Sequence, residues 1–137
     1  MIGILLVTHA NLGNALIETL EFISGKKETN IAAVSINIQE DPESLRKKIK
    51  KAIQEVKTDN GIVILTDMFG GTPSNLSYSF LEEGQVDVIS GVNLPILFKA
   101  VNSRSKMNME ALTSVLVEHG KKSISLASGI LKGTKRA

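Results

Sequence analysis

The chain has 137 residues, 42% of them apolar, with 16 basic and 14 acidic side chains. That length and composition suit one domain with one core, and the near balance of charge excludes a basic surface built for nucleic acid or anionic lipid. The absence of cysteine excludes disulfides and thiolate metal sites and fits a reducing compartment, while four Phe and one Tyr are too few for a base-stacking face. Ile2 to Val7 is a near-continuous apolar run, as in a strand buried on both faces. It has no basic segment before it and is too short for a signal peptide or a membrane span.

Leu12, Ala15, Leu16, Thr19, Leu20 and Ile23 then recur at helical spacing, with Asn11 as the expected N-cap and Gly25 as the stop. Ile31–Ile38 reads as a second strand. Asp41-Pro42 opens a helix whose buried stripe is Leu45, Ile49, Ala52, Ile53 and Val56. Its basic run, Arg46-Lys47-Lys48 and Lys50-Lys51, reads as a solvated face. Ile62–Thr66 is a third strand, and Pro73–Glu83 a helix ended by Gly84. Val86–Ser90 is a fourth strand, followed by a short helix to about Asn102. Residues 103–108 are polar and expected to be exposed. Met109–His119 is a last helix, with Asn108 as cap and Gly120 as stop. Ser123–Ser128 alternates with period two and predicts a short edge strand, and the chain beyond it a frayed end.

The order βαβαβαβα implies right-handed crossovers and a mainly parallel sheet with helices on both faces. The predicted fold is therefore a single doubly wound, three-layer α/β domain with a four-stranded parallel sheet.

In such a fold, residues at the carboxyl ends of central strands face the ligand crevice. His9 and Asp67 both stand there. A neutral imidazole is a good nucleophile near physiological pH. A carboxylate that accepts one ring N–H fixes the tautomer and leaves the other nitrogen free to attack. That pairing requires the first and third strands to be neighbours. Gly70-Gly71-Thr72-Pro73-Ser74 follows at once. Two glycines permit close backbone approach, and the Thr72 hydroxyl with free N–H groups suits phosphate oxygens. The segment matches neither the P-loop nor the dinucleotide fingerprint. His119, beside Gly120, reads as a helix-end cap. No acidic or histidine spacing suggests a metal.

Three segments together resemble the enzyme IIA domain of the mannose family in the bacterial phosphoenolpyruvate-dependent sugar phosphotransferase system. They are Leu6-Val7-Thr8-His9, Asp67-Met68-Phe69-Gly70-Gly71-Thr72-Pro73-Ser74-Asn75, and Val88-Ile89-Ser90-Gly91-Val92-Asn93-Leu94-Pro95. The resemblance covers residues 1–130 and leaves 131–137 as the frayed tail. It implies that His9 is phosphorylated, taking phosphate from the phosphocarrier HPr and passing it to a histidine of enzyme IIB. Asp67 would bond the ring, and Gly70, Gly71 and Thr72 would hold the phosphate, with no cofactor. It also implies a cytoplasmic homodimer that exchanges its terminal strand, here residues 123–128, and meets a membrane only through transporter components. Ala10 stands where the family often has glycine, so a positive φ is not expected there. Two other roles share the same chemistry: a regulatory phosphocarrier without transport, and a phosphodonor component for dihydroxyacetone kinase.

Overall fold

The computed structural model describes residues 1–132. Its elements are β1 (Gly3–His9), α1 (Leu12–Ser24), β2 (Ile31–Ile36), α2 (Pro42–Val56), β3 (Ile62–Thr66), α3 (Thr72–Tyr78), β4 (Val86–Ser90), α4 (Leu94–Ser103), α5 (Met109–Lys122) and α6 (Ala127–Leu131). The strands form one parallel sheet in the order β2-β1-β3-β4. β1 and β3 are neighbours, with Leu6 opposite Leu65 and Val7 opposite Thr66.

Both central strands are apolar throughout because each face is covered. Ile2, Ile4, Leu6, Val63 and Leu65 pack under α1, α4 and α5. Leu5, Val7, Ile62 and Ile64 pack under α2 and α3. This is the three-layer arrangement that the alternation implies. The α2 stripe is buried as predicted, and the Asp41 carboxylate accepts the Ser44 N–H at 3.2 Å. The α1 stripe is rotated from its expected position. Gly13 and Leu20 are buried, with Leu16 and Ile17 packed against the core, whereas Leu12 and Ile23 are exposed. Several helical registers are apolar in this sequence, and contact with the sheet selects one of them.

Other expectations are corrected. β2 ends at Ile36, which is opposite His9, the last residue of β1; the Asn37 side chain then accepts the Gln39 N–H and turns the chain. α3 ends at Tyr78, well short of Glu83. The hydroxyls of Ser77 and Ser79 donate to the carbonyls of Pro73 and Leu76 at 2.7 Å each, drawing on the helix's own acceptors. Gly84, at φ 75°, lies in the turn that brings the Glu82 N–H onto the Val86 carbonyl. Residues 103–108 are not uniformly exposed. Arg104 is 2% exposed. Its guanidinium donates to the carbonyls of Thr29 (2.6 Å) and Asn30 (3.0 Å) and pairs with Glu28 at 3.3 Å. α5 continues through Gly120 to Lys122. A Cβ at Gly120 would stand 2.7 Å from Ile96 Cδ1, so this glycine allows α5 to approach α4 closely and is no stop.

The strand expected over 123–128 is not formed within the single chain. Residues 123–126 have no regular structure, and Ala127 and Ser128 begin α6. A lone strand leaves its backbone groups unpaired, whereas a short helix satisfies part of its own. The expected frayed end is corrected over residues 129–131, which belong to α6, and beyond Lys132 it lies outside the described residues. No helix among the described residues is long and apolar enough to cross a membrane.

Candidate active site

The carboxyl ends of β1 and β3 bring His9 and Asp67 together, as the sequence predicts. His9 Nδ1 and Asp67 Oδ2 are 2.8 Å apart. The same oxygen accepts the backbone N–H of His9 at 2.9 Å. The other oxygen, Oδ1, accepts the Met68 N–H at 3.0 Å. The His9 side chain is 38% exposed and that of Asp67 only 13%, so the carboxylate lies beneath the ring and the ring faces outward. Burial raises the Asp67 pKa, but the backbone and ring hydrogen bonds from His9, with the ring's charge, outweigh it. The carboxyl therefore lies below its ordinary value. Its charge is kept, and one ring nitrogen is committed to it. Nε2 remains for chemistry.

Gly71 closes one side of the ring. A Cβ there would lie 3.1 Å from His9 Cε1 and 3.7 Å from Nε2. Gly70 is exposed at φ 84° and lets the chain turn between Phe69 and Gly71. Thr72 is exposed at the start of α3. The first bond within that helix runs from the Asn75 N–H to the Gly71 carbonyl at 3.0 Å, which leaves the earlier N–H groups of Thr72 and Ser74 outside the helical ladder. Gly70 and Gly71 thus lie on the loop that follows Asp67 and Thr72 opens the helix after it, with Gly71 against the imidazole.

The loop is held from below. Thr66, buried at the end of β3, accepts on its carbonyl the N–H groups of Gly91 (3.0 Å) and Val92 (2.9 Å), and its hydroxyl donates to Ser90 Oγ at 2.8 Å. These contacts tie the turn after β4 to the residue before Asp67. They account for the polar end of β4 in an otherwise apolar layer.

Two features of the His9 turn escape sequence reasoning. Ala10 adopts φ 48°, against expectation. Its N–H reaches across to the Ile36 carbonyl at 3.2 Å, and the chain must then reverse into α1 within two residues. Tertiary pairing imposes the left-handed backbone that the alanine itself disfavours. Asn11 does not cap α1 with its side chain. The buried Thr8 hydroxyl does so instead, accepting the Gly13 N–H at 2.8 Å. A threonine ending an apolar run just before a helical pattern was the available signal. Beside His9 and Ala10 opens a cleft of about 580 Å³ between the ends of β2 and α2, walled by Asn37, Ile38, Glu40 and Lys48. Its far side is neutralised by the Lys48–Glu40 ion pair at 2.9 Å. His119 sits in the last turn of α5 and shares no hydrogen bond or ion pair with His9 or Asp67 among the described residues. No group of three or more potential metal ligands occurs among the described residues.

The family described as the PTS system fructose IIA component (EIIA-man) matches residues 3–130. The chain belongs to this family. This EIIA chain is 32% identical to the PTS system fructose-specific EIIA component of Bacillus subtilis, over 100% of the chain and 94% of that protein. It is 34% identical to the sorbose-specific EIIA component of Lacticaseibacillus casei, over 84% and 83% of the two chains. A crystal structure of phosphotransferase system component EIIA from Streptococcus agalactiae superposes with a TM-score of 0.82 at 27% identity, covering 93% of this chain and 98% of that one. As an EIIA component, the chain is a phosphotransferase-system protein that takes part in sugar phosphotransfer.

Proposed function

We propose that this EIIA chain is a histidine phosphocarrier in sugar uptake, taking a phosphoryl group from phospho-HPr on His9 and delivering it to a histidine of enzyme IIB. The observation that carries this reading is the His9 Nδ1–Asp67 Oδ2 contact of 2.8 Å, with Nε2 left free beside Gly71.

The chemistry follows from that geometry. Asp67 holds the Nδ1 proton, so the Nε2 lone pair is available. As the N–P bond of the donor phosphohistidine breaks, an Nε2–P bond forms on His9 and the donor leaves with its imidazole. The phosphorylated ring carries more positive character than the free ring, and the Asp67 carboxylate stabilises it at hydrogen-bond distance. Loose phosphoryl transfer asks little covalent work of the protein beyond alignment and charge stabilisation. The Thr72 hydroxyl and the backbone N–H groups around Gly70 and Gly71 are the donors for the phosphoryl oxygens. In the second half-reaction the Nε2–P bond breaks toward the enzyme IIB histidine and His9 returns to its starting state.

The working form in this reading is a cytoplasmic homodimer. The C-terminal arm of each copy, from Ser123 onward, leaves its own domain and adds a strand to the other. Supporting it, Ile124, Leu126 and Leu131 are 82%, 75% and 85% exposed, an unusual display for side chains of this type. The membrane enters only through the transporter components that receive the phosphate.

The test is phosphate incorporation with phosphoenolpyruvate, enzyme I and HPr. One acid-labile, base-stable phosphate per chain is expected, absent in His9→Ala and normal in His119→Ala. Labelling of His9→Ala, or an acid-stable product, overturns the reading.

A further inference from the structure

β4 is the outer strand of the sheet, and a groove runs along its free edge. Its lower part, about 620 Å³, is lined by Leu81, Glu82, Glu83, Val86, Asp87 and Glu110, together with Met109 and Thr113. Its upper part, about 480 Å³, continues past Val88 and Ile89 to Val117 and Glu118. The upper part is mainly apolar, and the lower part sets Val86 and Met109 beside an acidic rim. Glu82 has Lys57 at 3.8 Å, while Glu83, Asp87 and Glu110 have no ion-pair partner among the described residues. Glu82 takes both outward backbone groups of Val86, and Asp87 Oδ1 accepts the Val88 N–H at 2.9 Å, so the open stretch of the edge lies toward Ser90; an open edge beside a groove is a docking surface for another strand.

The chain's own C-terminal arm has the opposite composition. From His119 onward it contains Lys121, Lys122, Lys132, Lys135 and Arg136 and not one Asp or Glu. Between these bases lie the apolar Ile124, Leu126, Ile130 and Leu131, of which Leu126 and Leu131 are 75% and 85% exposed. The arm departs from the same end of the sheet as His9: Ser123 Oγ accepts a hydrogen bond from Asn93 Nδ2 at 3.1 Å, just after β4. An arm laid antiparallel on β4 from that end runs about 20 Å over residues 123–128, and β4 itself is about 17 Å long. In sequence the bases Lys132, Lys135 and Arg136 follow that segment, and the carboxylates stand at the lower rim.

We infer that the lower rim formed by Glu82, Glu83 and Glu110 is a charge lock for the basic end of a second copy's arm, so that electrostatic complementarity, and not the apolar strand alone, selects like subunits for pairing. This rests on the exchanged-arm dimer proposed above and adds what specifies it. The apolar residues 124–131 supply burial in any partner with an open edge. The acid-to-base match asks for an arm of opposite charge, and like charge at the rim disfavours a wrong arm.

Two charge-reversed chains test it. One carries Lys132→Glu, Lys135→Glu and Arg136→Glu; the other carries Glu82→Lys, Glu83→Lys and Glu110→Lys. None of these residues belongs to the His9 site, so phosphate uptake on His9 reports that each variant is folded. By sedimentation at low salt, each variant alone is expected to dimerise about tenfold more weakly than the parent, three exposed pairs having turned repulsive. An equimolar mixture of the two is expected to recover parental affinity as a heterodimer, because the one reversed arm then meets the one reversed rim and the unchanged arm meets the unchanged rim. The parent's affinity should fall with salt, and a chain ending at Leu131 should lose that dependence. Parental affinity in both single variants, or no recovery on mixing, overturns the charge lock. An arm folded onto its own rim gives weakened thermal stability without recovery on mixing, and also overturns it. A chain ending at Lys122 separates the two levels: if it still dimerises fully, the exchanged-arm reading fails; if it is monomeric while charge reversal has no effect, only the lock fails.

Discussion

One carboxylate oxygen of Asp67 accepts both the backbone N–H and the Nδ1 of His9, at 2.9 and 2.8 Å. Asp67 therefore fixes where the histidine begins as well as which way its ring faces. One bond comes from the backbone and the other from the ring of the same residue, so the imidazole has little freedom of rotation about its own backbone.

Asp67→Asn tests the electrostatic half of that arrangement. The amide oxygen can still accept the Met68 N–H, so the fold should persist. The amide cannot balance positive charge on a phosphorylated ring, and its NH₂ group can face Nδ1 and favour the wrong tautomer. Rapid-quench measurement of phosphate uptake should show a large drop in rate, up to about 10⁴-fold by comparison with carboxylate-to-amide changes behind other catalytic histidines. An unchanged rate would remove Asp67 from the mechanism.

Asp67 should also leave a mark on stability against pH. Burial works against its ionisation, but the His9 contacts prevail and its folded-state pKa is lowered. A carboxyl shifted this way contributes stability above its unfolded pKa, about 4, and loses it as the pH falls through the folded value. Urea unfolding from pH 7 down to pH 2 should therefore show a stability loss in the acid range that is smaller in Asp67→Asn. Parallel profiles for the two proteins would contradict the shift.

Gly71→Ala separates site geometry from folding. Its new methyl would lie 3.1 Å from His9 Cε1, closer than the ring tolerates without moving. Displacement of a reacting group by a fraction of an ångström to an ångström costs about 10- to 100-fold in rate. Phosphate uptake should fall by that order, with a urea midpoint close to that of the parent. A fully active variant would show that the ring has room to shift.

Ala10 holds a left-handed backbone at φ 48°. Relief by glycine is worth about 1–2 kcal/mol for a non-glycine residue, less the greater unfolded-state entropy of glycine at about 0.4–1 kcal/mol. Ala10→Gly should therefore be neutral to modestly stabilising, and Ala10→Val destabilising by more than about 1 kcal/mol because a β-branched residue tolerates this region poorly. Thermal or urea unfolding of the pair checks it; the reverse order would place the strain elsewhere.

Much of the fold and the site was legible in the sequence because its signals are local. The continuous apolar runs marked the buried strands, the helical stripe from Leu45 to Val56 placed α2, and the strand-end positions of His9 and Asp67 put both in one crevice. The spacing of three motifs carried the family. What only the tertiary structure decided depends on residues distant in the chain. Arg104 reads as a polar loop residue until Glu28 and the Thr29 and Asn30 carbonyls, more than 70 positions away, meet it in the interior. Gly120 reads as a stop until Ile96 occupies the space a side chain would need. Ala10 reads as ordinary backbone until the Ile36 carbonyl draws its N–H across to β2. The period-two pattern of residues 123–128 describes a strand's side chains but supplies no neighbouring strand for its backbone, and within one chain the segment is irregular and then helical. Local pattern sets which face of an element is apolar; which atoms meet that face is settled by how the elements pack.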